Sequence, residues 1–392
     1  MILAEAKKVA EKYLMNTYSP FPVIFTRGRG SYLYDQSGKE YLDLFSGIAV
    51  NNLGYSNEKV VEAIIEQANK LMHTSNLFYT EPMLELAKAL VEISELEDGK
   101  VFFCNSGTEA NEGALKLARL YGKDKGKFKI VSAWNSFHGR TLGGLTLTGQ
   151  TKYHEGFKPL VPEVTYTVFN DLDALSRDLT PDTAALFLEC VQGEGGVVPA
   201  TKEYLQKARE LCDKYDILLI FDEVQTGVGR TGKFFAYENF GIKPDVVTMA
   251  KALGGGLPLG AIIAKGTVSV FTPGKHASTF GGNPVTTSAA LTVVKEITKP
   301  GFLDEVLAKG EEFRSQIPRN HPLVKGVRGL GLMLGIETTV PASKVVNQAL
   351  SNGLVIGTAG LNVIRLLPPL TITKQEMAYG IERLIKSLDL NL

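Results

Sequence analysis

From about residue 100 onward, short apolar runs alternate with segments of helical periodicity. Runs at 101–104, 129–132, 184–189, 217–222, 246–249 and 259–264 are too short for membrane spans. They also lack strict alternation, as strands buried on both faces should. Helices are predicted at 109–122 and 202–215. This order implies a mostly parallel sheet with helices on both faces, whose ligands bind beyond the carboxyl ends of the strands. Earlier in the chain, the first 18 residues read as an amphipathic helix, 32–45 as a hairpin around Gln36–Lys39, and 57–72 as a helix carrying Val60, Ile64 and Ala68 on one face. After about Pro284 the pattern changes. Helices at roughly 285–298 and 303–316 precede an alternating segment, 329–337, and a helix–strand–strand–helix pattern over 342–389. The expected division is a segment 1–48 that joins a small α+β domain, a large domain 49–284, and the rest of the small domain at 285–392.

Composition narrows the function by exclusion. Lys and Arg together number 42, as do Asp and Glu, so the formal net charge is zero. That balance argues against electrostatic capture of nucleic acid or a membrane surface. The N-terminus has no signal-peptide apolar core. Cys104, Cys190 and Cys212 show neither metal-ligand spacing nor a disulfide framework. The first two end apolar runs and read as buried thiols in a reducing compartment. The expectation is a cytoplasmic protein that acts on small molecules and holds no metal.

Candidate chemistry sits where the strands end. Asp222 closes the run Ile217–Phe221, and Lys251 follows another run and precedes Gly254-Gly255-Gly256. An acid in that position needs a partner or must neutralise. An amine in a dry pocket loses its proton more easily and becomes nucleophilic. A buried acid and a buried amine on one sheet suit pyridoxal 5′-phosphate. The amine forms a Schiff base with the aldehyde, and the acid keeps the pyridine nitrogen protonated. A helix cap is the plainer reading of Asp222, and a solvated surface group that of Lys251. Asn105–Glu112 joins a strand to a helix, whose first N–H groups can hold a phosphate near Gly107 and Thr108. In Phe137-His138-Gly139-Arg140-Thr141 the aromatic can stack on a ring and the arginine can grip a carboxylate. Core packing explains Phe137 equally, and a structural histidine explains His138. Glu189 and Glu194 lie in a glycine-rich loop suited to substrate recognition or gating, or simply to solvation. Gln225, two positions after Glu223 and next to Val224, is expected to reach the cofactor's phenolic oxygen. Arg365, set in Ile364-Arg365-Leu366-Leu367-Pro368-Pro369, needs an anionic partner, either a structural acid or a substrate carboxylate.

These motifs, with Ser278–Pro284, occur in an order that resembles the class III, ornithine-type aminotransferases across nearly the whole chain. The one departure lies at Tyr55-Ser56-Asn57, where relatives usually carry His-x-His-Pro. The resemblance implies a pyridoxal-phosphate-dependent transferase of fold type I, working as a homodimer with shared active sites. It implies that Lys251 is the Schiff-base lysine, Asp222 the partner of the pyridine nitrogen, and Phe137 the stacking aromatic. Gly107 and Thr108 would bind phosphate, with Thr279 from the neighbouring subunit, and Glu223, Val224 and Gln225 would contact the cofactor. Arg140, Ser278, Glu189 and Tyr18 would meet the amino donor, and Arg365 the α-carboxylate of glutamate or 2-oxoglutarate. Glu194 would be the gate that masks Arg365. The implied reaction moves the δ-amine of N-acetylornithine to 2-oxoglutarate. Ornithine, succinylornithine, 4-aminobutyrate and aminoadipate-semialdehyde enzymes share most of these residues, and an aminomutase, a racemase or a non-catalytic cofactor-binding protein stays open.

Overall fold

The computed structural model describes residues 2–392. An N-terminal helix, Leu3–Tyr13, precedes a meander of β1 (Phe25–Arg29), β2 (Tyr32–Asp35) and β3 (Glu40–Asp43). The central strands are β4 (Lys100–Cys104), β5 (Lys129–Ala133), β6 (Val164–Thr167) and β7 (Thr183–Leu188). A two-strand ribbon follows, β8 (Val191–Gln192) and β9 (Val198–Pro199), then β10 (Leu218–Asp222), β11 (Val246–Met249) and β12 (Gly260–Ala264). The C-terminal part holds β13 (Val324–Leu330), β14 (Met333–Thr338), β15 (Leu354–Val355), β16 (Gly357–Thr358) and β17 (Val363–Leu366).

The central sheet has the order β4-β12-β11-β10-β7-β5-β6. From β11 to β6 all neighbours are parallel, and β12 alone runs against both of its neighbours. The mostly parallel sheet read from the sequence is therefore present. Its middle strands are buried along their whole length. Side chains alternate between faces in a strand, and the packing follows: Leu219 and Phe221 enter one apolar cluster while Leu218 and Ile220 enter the other. Each such side chain contributes about 1.5–3 kcal/mol by leaving water. The Gly107–Gly122 helix covers the second cluster with Ala110, Ala114, Leu115 and Ala118. No helix among the described residues is long and apolar enough to cross a membrane.

Three differences from the sequence reading stand out. The segment read as alternating at 329–337 is the second half of an antiparallel hairpin, β13–β14. The 342–389 stretch holds three short strands between its helices, and not two. The helix Glu81–Ser94 was not anticipated, because only Leu86, Leu90 and Ser94 of its residues are buried and its apolar stripe is thin. The N-terminal meander is completed from the far end of the chain, since β3 pairs in parallel with β15.

Two buried polar networks lock these parts together. Asp43 accepts from the amides of Phe45 (2.7 Å) and Ser46 (3.1 Å) and from the Tyr55 hydroxyl (2.5 Å). They hold a run of four left-handed residues, Ser46, Gly47, Ile48 and Ala49, with φ between +50° and +67°. Tyr55, at the departure, thus has a structural function through Asp43. Arg230, fully buried, donates to Leu332 O (3.0 Å), Pro368 O (2.6 Å) and Asn52 Oδ1 (2.5 Å). It ties the loop after β10 to the C-terminal sheet and to the segment after β3.

Arg230→Met would leave those three buried acceptors unpaired. The expected cost is about 3 kcal/mol or more of folding free energy. A urea midpoint equal to that of the parent chain would show that the strut carries no load.

Candidate active site

Asp222 ends β10 on the face of the Gly107–Gly122 helix, by the same alternation that puts Ile220 there. It is buried, and each of its oxygens is engaged. Oδ1 accepts from the Val224 amide (2.9 Å); Oδ2 accepts from Asn111 Nδ2 (2.8 Å) and lies 2.7 Å from His138 Nδ1. Asn111 also bonds His138 O (2.8 Å) and accepts from Thr248 Oγ1 on β11 (2.7 Å). Burial disfavours charge on His138, but the hydrogen bond and charge of Asp222, with Glu189 beyond it, more than offset this and raise its pKa. His138 Nε2 is buried without a partner. Asn111 had no part in the sequence reading. Its signal was a polar residue one helical turn after Gly107, on the face that otherwise buries alanines.

Lys251 lies one residue beyond β11, after Ala250, at the start of a tight turn closed by Gly254. Its φ of +48° is left-handed, a conformation that costs of order 1–3 kcal/mol in a non-glycine residue. Burial pushes its ammonium below the usual lysine range; Glu194 opposes this, Arg365 adds to it, and Asp222 and Glu189 oppose it further. These four groups are therefore within electrostatic reach of the amine. Among the described residues no side chain hydrogen-bonds or pairs with Lys251 Nζ.

The Gly107–Gly122 helix begins with Ser106 as its cap, the Ser106 hydroxyl accepting from the Glu109 amide (3.3 Å). The amides of Gly107 and Thr108 have no intrahelical acceptor. Thr108 Oγ1 lies 2.7 Å from Thr141 Oγ1, and Gly139 passes so close that an added Cβ would meet Thr108 Oγ1 at 2.1 Å. Val224 packs on Gly107. Phe137 is half-buried and edge-on to Tyr153, and the exposed Arg140 stands 3.9 Å over the Tyr153 ring with no ion-pair partner among the described residues.

Arg365 projects from β17, almost wholly buried. Its Nη1 donates to Glu194 Oε1 (2.6 Å) and to Gln225 Oε1 (3.2 Å), and the guanidinium lies 5.4 Å from the Phe45 ring. Gln225 is thus engaged with Arg365. Glu189 is buried and accepts from the amides of Phe137 (3.1 Å) and Gly193 (3.3 Å), so it joins the Phe137 loop to the loop of Glu194.

Four residues from the sequence reading lie outside this group. Glu223 is turned into the core: its carboxylate accepts from Thr226 Oγ1 (2.6 Å) and the Tyr237 amide (3.0 Å). Residues 222 and 223 are neighbours in sequence but face opposite sides of the sheet. Tyr18 is 81% exposed. Ser278 Oγ bonds Asn105 Nδ2 (3.3 Å) and the Gly281 amide (2.9 Å), near the β4 edge. Thr279 beside it is exposed. All three cysteines are buried and unpaired.

The chain belongs to the class III aminotransferases, whose family model matches residues 13–388. Enzymes of this class depend on pyridoxal phosphate. The chain is similar over nearly its whole length to acetylornithine aminotransferases. That of Caldanaerobacter subterraneus subsp. tengcongensis is 50% identical over 379 residues, which are 95% of this chain and 96% of the relative. That of Aquifex aeolicus is 50% identical over 373 residues, 94% of this chain and 98% of the relative. The solved N-acetylornithine aminotransferase from Stenotrophomonas maltophilia K279a superimposes with a TM-score of 0.85 at 37% identity, covering 98% of each chain.

Burial, with the Asp222 charge adding, raises the Glu189 carboxyl from 4.5 to about 7, against the opposing charge of His138 and the two amides it accepts from. Between about 4.5 and 7 the folded chain therefore holds a proton that the unfolded chain releases, and stability falls as pH rises through that window. Glu189→Gln removes this contribution, worth about 3 kcal/mol at most. Denaturant unfolding of parent and variant at the two ends of the window should show the smaller drop in the variant. Equal drops would contradict the buried, protonated carboxyl.

Proposed function

We propose that this aminotransferase moves the δ-amino group of N-acetylornithine to 2-oxoglutarate, giving N-acetylglutamate semialdehyde and glutamate, in the cytoplasm and in the service of arginine synthesis. The observation that carries the reading is the Arg365–Glu194 pair at 2.6 Å beside Lys251. Such a site must accept glutamate, whose amine is next to a carboxylate, and an ω-amine donor, whose amine is far from one. An arginine that an acid can mask or release serves both. The names of the relatives support the choice of donor.

The residues present fit pyridoxal phosphate. Asp222 offers a buried acceptor, Lys251 an amine with no competing partner, and Gly107 and Thr108 free amides at a helix start. Phe137, Val224 and Gln225 would contact the bound group, whereas the Glu223 side chain would not. When bound, pyridoxal phosphate supplies an electron sink for the carbon bearing the transferred amine. Asp222, held by Asn111 and His138, would keep a proton on the ring nitrogen. Lys251 Nζ, with its lowered basicity, would take a proton from the amine-bearing carbon of the substrate and deliver it to the cofactor carbon on the other side of that nitrogen. Arg365 would clamp the α-carboxylate of glutamate or 2-oxoglutarate with its forked N–H groups, and Glu194 would neutralise it when the ω-amine donor is in place. Arg140, free of an acidic partner, would hold the donor's own carboxylate.

Ser278, Thr279 and Tyr18 need a second subunit to join a site. Asn76 bonds Ser278 O and Gly281 O, so residues 76–79 and 278–281 share a surface where Leu77 (87% exposed), Tyr79 (88%) and Phe280 (59%) face outward. A homodimer closing over this surface would cover them. Light scattering should return twice the chain mass, and a monomer at micromolar concentration would remove the shared-site reading.

Two measurements test the reaction. Lys251→Ala should retain some cofactor but lose steady-state transamination by about four orders of magnitude or more; appreciable turnover would sink the lysine assignment. In single half-reactions, N-acetylornithine and glutamate should bleach the cofactor's visible absorbance faster than ornithine, succinylornithine or 4-aminobutyrate. Faster bleaching by one of those amines would reassign the donor within the same class, and no bleaching by any amine would favour an aminomutase.

A further inference from the structure

The sheet that carries Arg365 has a regular feature that the proposed reaction does not use. Across its four strands, Arg328 on β13 pairs with Gly335 on β14, Gly335 pairs with Arg365 on β17, and Arg365 pairs with Gly357 on β16. Directly paired positions project to the same face of a sheet. The row therefore presents arginine, glycine, arginine, glycine on one face. The gaps at the glycines are filled from outside: a Cβ on Gly335 would come within 2.8 Å of Val197 Cβ, and one on Gly357 would meet the Phe45 ring at 2.0 Å. The Phe45 ring in turn lies beside the Arg365 guanidinium.

Val197 ends the loop that begins at Gly193 and carries Glu194. It is fully buried, with φ of +53°, directly after Gly196 at +112°. A β-branched residue takes up the left-handed region only where its surroundings impose it. The imposing contacts are visible. Val197 lies in one buried apolar cluster with Val191, Met333 and Val363, and Arg328 Nε donates to Gly196 O at 2.8 Å. Arg328 is itself oriented by Glu337, 2.6 Å from its Nη1. The loop is thus gripped at two points of the same row, by Arg328 through its backbone and by Arg365 through Glu194.

We propose that Arg328 is a positioning residue of the carboxylate switch: it clamps the strained Gly196–Val197 turn on the sheet over Gly335, keeps Glu194 within reach of Arg365, and so biases the site toward ω-amine donors. This rests on the reading of Glu194 and Arg365 as the selector. Without the clamp the turn relaxes off the sheet, Glu194 masks Arg365 less often, and the uncovered arginine favours donors with an α-carboxylate.

The test uses Arg328→Gln, Arg328→Lys, Glu194→Ala and the double variant Arg328→Gln/Glu194→Ala, each as the cofactor-loaded enzyme. Without substrate, hydrogen exchange at residues 193–198 should speed up in Arg328→Gln while β7 and β10 stay protected as in the parent. In half-reactions, the ratio of rate constants for N-acetylornithine over glutamate should fall about 3- to 10-fold in Arg328→Gln, and Arg328→Lys should recover part of it. In the Glu194→Ala background Arg328→Gln should leave the ratio unchanged, because the group it positions is gone. Unaltered exchange at 193–198 would overturn the clamp. An equal fall of the ratio with and without Glu194 would show that Arg328 acts by another route. If Glu194→Ala itself leaves the ratio untouched, the selector reading fails, and the bias assigned to Arg328 fails with it, whatever the exchange shows.

Discussion

A carboxylate at the dry end of an apolar strand must be satisfied by the fold around it, and Asp222 is where this protein meets that demand. Water cannot supply its hydrogen bonds. The partners come instead from three directions: the amide of Val224 from the loop that follows, the Asn111 side chain from the helix on that face, and His138 from the loop after β5. Asn111 extends the network to Thr248 on β11, the strand that delivers Lys251. Satisfying one buried charge therefore sets the mutual positions of the helix start, the Phe137 loop and the lysine turn. The residue that anchors the architecture is the one whose charge the chemistry would use.

The C-terminal sheet solves a different problem, that of keeping an arginine buried and still available. Arg365 is paired with a glutamate from another loop, and no residue of its own sheet competes for it. Glu194 can leave more readily than a partner fixed by secondary structure, since its side chain retains 25% of its exposure. Glycines on either side of Arg365 in the pairing register let Val197 and Phe45 close over the row without displacing the strands. Left-handed backbone recurs at Val197, Lys251 and Ser46–Ala49. Strain of that kind persists only where neighbouring contacts over-determine it, and here the contacts are Arg328, the lysine turn's glycines and the Asp43–Tyr55 pair.

Much of the large sheet was legible in the chain. Each of its strands except β6 announced itself as a short apolar run, because a strand covered on both faces has no polar side to confuse the pattern. The helices predicted at 109–122 and 202–215 were legible from their periodicity, the first beginning two residues earlier, at Gly107. Elements that bury little, such as β1 and Glu81–Ser94, left weaker patterns. The β13–β14 hairpin was half seen, because its first strand is only partly buried. Among candidate site residues, those at strand ends were readable as chemistry in an improbable place. Asn111, Phe45 and Arg328 were not, since each looks ordinary until its neighbour across the fold is known.

The sequence by itself determined most of the sheet, the strand ends where ionisable groups collect, and the presence of a buried acid and a buried amine at two of those ends, because these follow from local pattern and from the cost of burying charge. Tertiary structure alone decided which of two adjacent acids, Asp222 or Glu223, faces the site, since that depends on strand parity against a particular helix. It alone joined Arg365 to Gln225 and Arg328 to Gly196, and it gave a contact to the Arg365–Glu194 pair that only the family resemblance had implied, across more than a hundred positions of chain in each case. Separation along the chain carries no information about such pairs. Only the register of the strands and the path of the loops bring them within hydrogen-bonding distance.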